Sequence, residues 1–124
     1  MSLTLEFQEN VAVLTHDDGK RNVFSPDAIR DFNEALDEVE AKSASLMWLG
    51  RDGCFSAGFD LKVISSGDAD AAAAMVKAGG ELAFRIFTFP HPVVCAVTGH
   101  CLALGSVMLV CADKRIGIEG DYKY

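Results

Sequence analysis

Two runs of small residues could do chemistry: Gly53-Cys54-Phe55-Ser56-Ala57-Gly58-Phe59-Asp60-Leu61-Lys62 and Gly99-His100-Cys101-Leu102-Ala103-Leu104-Gly105-Ser106. Each follows an apolar strand pattern and leads into a new element. Small residues let the backbone approach a ligand closely, and a loop that runs into a helix leaves N–H groups without intrahelical acceptors. Two such loops facing one another can aim one backbone N–H each at a single oxygen. That arrangement, an oxyanion hole, is usually the largest electrostatic contribution to reactions through an enolate or a tetrahedral anion. Taken singly, each loop also fits an ordinary strand-to-helix turn. Their joint occurrence, each behind a buried strand, is what points to chemistry.

The surrounding pattern supplies the elements that would position these loops. Leu3 to Phe7 and Val11 to Thr15 flank Gln8-Glu9-Asn10 and predict a hairpin. Ser25-Pro26-Asp27 carries a capping serine, a proline for the first helical position and an acid for the first turn. The helix it opens places Ile29, Phe32, Leu36 and Val39 on one face. Ser45 to Leu49 reads as a buried strand feeding directly into the first small-residue loop. An alanine-rich helix from about Asp70 to Phe89 follows, interrupted at Gly79-Gly80. Val93 to Val97 is a second buried strand leading into the second loop, followed by an apolar helix over Leu104 to Cys111 and a strand over Arg115 to Ile118. Alternation of this kind predicts an α/β fold with a mainly parallel sheet, whose ligand loops lie at strand C-termini.

Composition narrows the partners. With 124 residues, half of them hydrophobic, the chain can bury one core and is one domain. A net charge of −7 argues against nucleic acid or an anionic membrane surface as the main partner, so an anionic ligand must be held by local donors. No apolar run reaches the roughly 18 residues of a membrane span, and the opening MSLTLEFQ lacks the basic flank and apolar stretch of a signal peptide. Cys54, Cys95, Cys101 and Cys111 have no CxxC spacing and read as reduced thiols, with no metal site, in a cytoplasmic compartment.

Three stretches stand in order in a likeness that covers nearly the whole chain: Phe55 to Lys62, Pro92-Val93-Val94-Cys95-Ala96-Val97-Thr98-Gly99-His100-Cys101-Leu102-Ala103, and Cys111-Ala112-Asp113-Lys114-Arg115-Ile116. Together they resemble the crotonase superfamily, the enoyl-CoA hydratase/isomerase group. The resemblance implies crotonase-like ββα units, an acyl-CoA thioester as substrate with coenzyme A as part of it and no separate cofactor, and a homo-oligomer of trimeric type. It also implies that residues 1–124 are the N-terminal half of a longer chain, leaving the fold incomplete at its C-terminus. By the same likeness the two oxyanion donors are the backbone N–H groups of Phe59 and Leu104, the latter within Ala103-Leu104-Gly105. Ala57, Gly58 and Lys62 fall where the family contacts coenzyme A, and Lys20, in Gly19-Lys20-Arg21-Asn22, resembles the other part of that surface. His100 stands beside the presumed hole as a candidate base, at a position that is commonly structural in relatives.

Departures from the family pattern limit the chemistry. Its hydratases use two glutamates; the first falls at Val107, which cannot transfer a proton, and the second lies beyond Tyr124. Two classes of function therefore remain open. One is an acyl-CoA enzyme that stabilises a thioester enolate; the other is a truncated, non-catalytic acyl-CoA-binding or assembly module.

Overall fold

The structure, a computed structural model, describes residues 2–124. Strands β1 (Leu3–Gln8) and β2 (Val11–His16) form the antiparallel hairpin, with Leu5 opposite Leu14. After β3 (Val23–Phe24), helix α1 (Pro26–Ala41) begins at the predicted signal: Ser25 Oγ accepts the Ala28 N–H at 3.1 Å and Pro26 takes the first position, where no N–H is needed. Next come β4 (Ser45–Leu49), β5 (Gly53–Ser56), β6 (Gly58–Phe59) and the short helix α2 (Leu61–Ile64). Then follow α3 (Ala69–Phe87), β7 (Val93–Ala96), β8 (Gly99–Cys101), α4 (Leu104–Cys111) and β9 (Lys114–Ile116). The main sheet has the order β1-β2-β4-β7-β9, parallel everywhere except at the β1–β2 hairpin. This is the mixed α/β architecture with a mainly parallel sheet that the alternation predicts.

Leu14, Trp48 and Cys95 are register partners across β2, β4 and β7, and all three are fully buried. Alternation along each strand turns this row to one face. Helix α1 covers it: the Phe32 ring lies 4.9 Å from Trp48, and Trp48 lies 5.0 Å from Phe55 on β5. Packing thus runs without a break from the α1 face to the strand that carries Ser56. Helix α3 is tied across α1 by Arg85, whose guanidinium donates to Asn33 O and Oδ1 and to Asp37 Oδ1.

Two readings from sequence change. The first small-residue run is not a loop. Its residues form β5, paired in parallel with β8, and β6, paired in parallel with β3. These short ladders extend beyond the C-terminal ends of β4 and β7 as a second tier, and give the run's backbone groups partners that a free loop would lack. The alanine-rich helix is also unbroken at Gly79-Gly80. Gly79 is buried, and a Cβ there would stand 2.5 Å from Phe59 Cε1 and 3.0 Å from Leu104 Cδ2. The glycine marks close packing; its cost of about 1 kcal/mol in helix propensity is offset by contact with those two side chains.

Several apolar side chains stay outside this core. Val107 and Val110 on α4, and Phe84 and Phe87 on α3, are exposed, as is all of β9.

Candidate functional site

The site grows from the turn between β5 and β6. Ala57 N–H donates to Arg21 O at 2.9 Å, and Asp60 N–H donates to Phe24 O at 3.3 Å. Between them Gly58 bends the backbone at φ 96°, a conformation open to glycine, and its N–H donates to Ser56 Oγ at 3.1 Å. Backbone N–H groups alternate in direction along an extended segment. With the Asp60 N–H turned to β3, the Phe59 N–H faces away from it. Asp60 then caps α2, its Oδ1 accepting the Lys62 N–H at 3.0 Å, as its position in the sequence suggests.

The second run meets the first directly. Leu102 N–H donates to Ser56 O at 2.8 Å, and a Cβ at Gly58 would lie 2.7 Å from Ala103 Cβ and 3.2 Å from Leu104 N. Ala103 holds φ 52° and ψ −123°, a backbone region that a residue with a Cβ rarely adopts. The strain turns the chain into α4 beside Gly58. Gly105 and Ser106 N–H groups bond back to Leu102 and Ala103 carbonyls, whereas Leu104 N–H has no acceptor among the described residues. At the other end of α4, Arg115 Nη1 donates to Leu109 O and Ala112 O, satisfying carbonyls at the helix C-terminus.

A separate cleft of about 670 Å³ opens along the Asp18–Arg21 segment and α2, bringing Lys20, Arg21 and Lys62 together with Asp18 and Asp60. It concentrates three cations in a chain of net charge −7. Burial alone would raise the Asp18 pKa, but the N–H groups of Asn22, Lys20 and Val23 outweigh it and hold this carboxyl below its ordinary value. Arg51 fastens the same segment, donating to Asp17 Oδ1 at 3.0 Å and to Lys20 O at 2.7 Å.

Of the residues singled out from sequence, Lys20 and Lys62 therefore share one cleft, and Gly58 and Leu104 meet at the junction of the two runs. Ala57 joins the cleft segment through its bond to Arg21, while Gly58 is buried against Ala103 instead of lining the cleft. His100 is half-buried; its Nδ1 accepts the Lys123 N–H at 3.0 Å and its ring stands 5.2 Å from Tyr122. Val107 projects from α4 with 45% of its surface exposed. Among the described residues, no group of three or more His, Cys, Asp or Glu side chains could hold a metal ion. The cysteines are free, and burial pushes the Cys95 and Cys101 thiols up to about 12, which removes Cys101 as a ready thiolate beside the second run.

Three contributors escaped the sequence reading. Arg21 lies next to Lys20 in the quoted Gly19-Lys20-Arg21-Asn22 run and carries the same charge into the cleft. Asn22 and Ser56 act through buried hydrogen bonds; Ser56 stands between apolar Phe55 and Ala57, whereas Asn22, directly after Arg21, has no such signal in sequence.

Residues 6–119 match the family model described as enoyl-CoA hydratase/isomerase. A probable enoyl-CoA hydratase of Bacillus subtilis is 30% identical over 122 residues, covering 95% of this chain and 47% of the relative. Among solved structures, an enoyl-CoA hydratase/isomerase family protein from Pseudomonas syringae superposes with a TM-score of 0.94 at 40% identity, over 98% of this chain and 52% of that one. A probable enoyl-CoA hydratase from Mycobacterium tuberculosis gives a TM-score of 0.90 at 37% identity, over 93% and 49%. The chain spans about half the length of these relatives. With its two small-residue runs folded against each other beneath α4 and its sequence matched over nearly its full length, the chain belongs to the enoyl-CoA hydratase/isomerase family.

Proposed function

We propose that this chain binds an acyl-CoA thioester, with the thioester carbonyl accepting hydrogen bonds from the Phe59 and Leu104 N–H groups. The observation that carries this reading is the contact of Gly58 with Ala103 and Leu104, which sets the two runs side by side next to an N–H without an acceptor. Two such donors polarise the carbonyl, making the α-carbon more acidic and the β-carbon more electrophilic. Negative charge that develops on the oxygen meets the positive end of α4. Lys20, Arg21 and Lys62 supply the local cations for the phosphates of coenzyme A, in a molecule whose overall charge would repel them.

Calorimetric titration with acetyl-CoA tests the binding half of this proposal. The Lys20→Gln/Lys62→Gln double variant is expected to bind about tenfold or more weakly, and the wild-type affinity to fall as salt rises. Equal affinities for the two proteins would remove the cleft from the reading.

A specific observation also favours the non-catalytic form. Val107, one turn into α4, occupies the position where the family resemblance places a glutamate, and a valine neither gives nor takes a proton. A positioned general acid or base contributes roughly 10²–10⁴-fold to rate. The 124-residue chain is therefore expected to hydrate crotonyl-CoA weakly or not at all, read as loss of the enoyl absorbance. Rapid hydration would mean that another group supplies the proton transfer, and His100 would be the first to replace.

A further inference from the structure

Asn22 has no exposed surface and sits at φ 52°. It exchanges two hydrogen bonds with Asp18, each 2.9 Å: Asp18 N–H to Asn22 Oδ1 and Asn22 N–H to Asp18 Oδ1. Its Nδ2 donates to His16 O at 2.6 Å and, from the other side, to Cys54 O and Phe55 O at 3.2 Å each. Ser56, equally buried, donates its hydroxyl to Asn22 O at 2.8 Å and accepts the Gly58 N–H at 3.1 Å. One unbroken polar path thus leads from the Asp18 segment on the cleft to the N–H of the residue preceding Phe59. Apolar packing could hold two loops near each other. Only directional bonds fix the orientation of a particular peptide N–H.

We propose that Asn22 and Ser56 are positioning residues: a buried clasp that joins the segment carrying Lys20 and Arg21 to the turn carrying Phe59, so that the anionic end of the ligand and its carbonyl are held by one rigid unit. The inference rests on the acyl-CoA reading above. Ser56 Oγ sets the Gly58 peptide by accepting its N–H while being fixed itself by Asn22 O, and the next N–H along the chain is the proposed donor. Asn22 ties that arrangement back to the cleft.

The test compares three probes by calorimetry: acetyl-CoA, S-ethyl-CoA (the same molecule with the carbonyl replaced by CH2) and adenosine 3′,5′-bisphosphate. In the wild-type protein acetyl-CoA is expected to bind more tightly than S-ethyl-CoA. In Ser56→Ala this preference is expected to fall about tenfold, while the nucleotide binds within about twofold of wild type, since both hydrogen bonds of the Ser56 hydroxyl are lost but the bonds of Asn22 to Asp18 and the cleft cations themselves are left in place. Ser56→Cys, which keeps a weak donor and acceptor, is expected to fall between the two and carries the comparison if the alanine variant does not fold. Asn22→Gly tolerates the positive φ and is expected to weaken nucleotide and thioester alike. A folded Ser56→Ala protein with the full carbonyl preference overturns the clasp. Absence of any carbonyl preference in the wild-type protein instead overturns the two-donor reading, and is visible without a variant.

Discussion

Gly58→Ala is expected to destabilise the fold by about 2–5 kcal/mol and to abolish discrimination between a thioester and its carbonyl-free analogue. Two costs add at this position. An alanine at φ 96° is strained wherever it stands, and its Cβ would lie 2.7 Å from Ala103 Cβ and 3.2 Å from Leu104 N, inside contact distance of the proposed second donor. Gly19 separates these costs. It has φ 74° with open space around it, so Gly19→Ala carries the strain without the collision and is expected to lose only about 1–2 kcal/mol. The double variant Gly58→Ala/Ala103→Gly removes the opposing Cβ and relaxes φ 52° at position 103, and is expected to recover part of the loss. Urea midpoints of the wild type and these three variants measure the losses. Equal losses for Gly19→Ala and Gly58→Ala would show that the two runs do not press on each other at this point.

The sequence carried the long elements and hid the short ones for a physical reason. Ser25-Pro26-Asp27 and the Ile29, Phe32, Leu36, Val39 spacing describe α1 because capping and amphipathic packing are local or periodic. The buried strands β4 and β7 read equally well as short apolar runs. Strands β5, β6 and β8 have two to four residues each and exist because they pair with segments far away in sequence, as Ser56 does with Cys101. No local pattern announces such a pairing. Gly79-Gly80 misled for a related reason: helix propensity treats glycine as a breaker, whereas Gly79 is needed to admit the Phe59 ring, a contact 20 residues back along the chain. The proposed site was partly legible because its proposed donors are backbone N–H groups in runs of small residues, which the sequence displays. The clasp was not, since Asn22 and Ser56 look like ordinary turn residues until burial shows that each of them bridges two segments.

The fold is expected to lose stability as pH falls below about 6.5, and His16 is the cause. The ring is fully buried at the end of β2, 5.2 Å edge-on to Phe32 and 5.9 Å from Phe24, and neither nitrogen has a hydrogen-bond partner among the described residues. Burial opposes the charged form more than Asp18 and Asp17 favour it, so the pKa is lowered from 6.5 to about 4. The unfolded chain therefore binds the proton more readily than the folded one between these values. Stability is full above pH 6.5 and is lost progressively as pH falls from 6.5 to about 4. The shift corresponds to roughly 3 kcal/mol over the window, a large share of the total stability of a domain this size. The depressed Asp18 carboxyl acts separately: its contribution is present above its ordinary pKa and is lost only as pH falls below that. Urea unfolding at pH 7.5, 5.5 and 4.5 is expected to show the loss in wild type and a much flatter profile in His16→Leu, which has no proton to bind. An equally steep loss in both proteins would assign the acid sensitivity to other groups. Because the His16 carbonyl also accepts from Asn22, protonation of this ring would press on the same segment that joins β2 to the cleft. Nucleotide affinity is expected to fall in both proteins as the phosphates themselves take up protons, with a second pKa of about 6, and to fall more steeply in wild type than in the leucine variant.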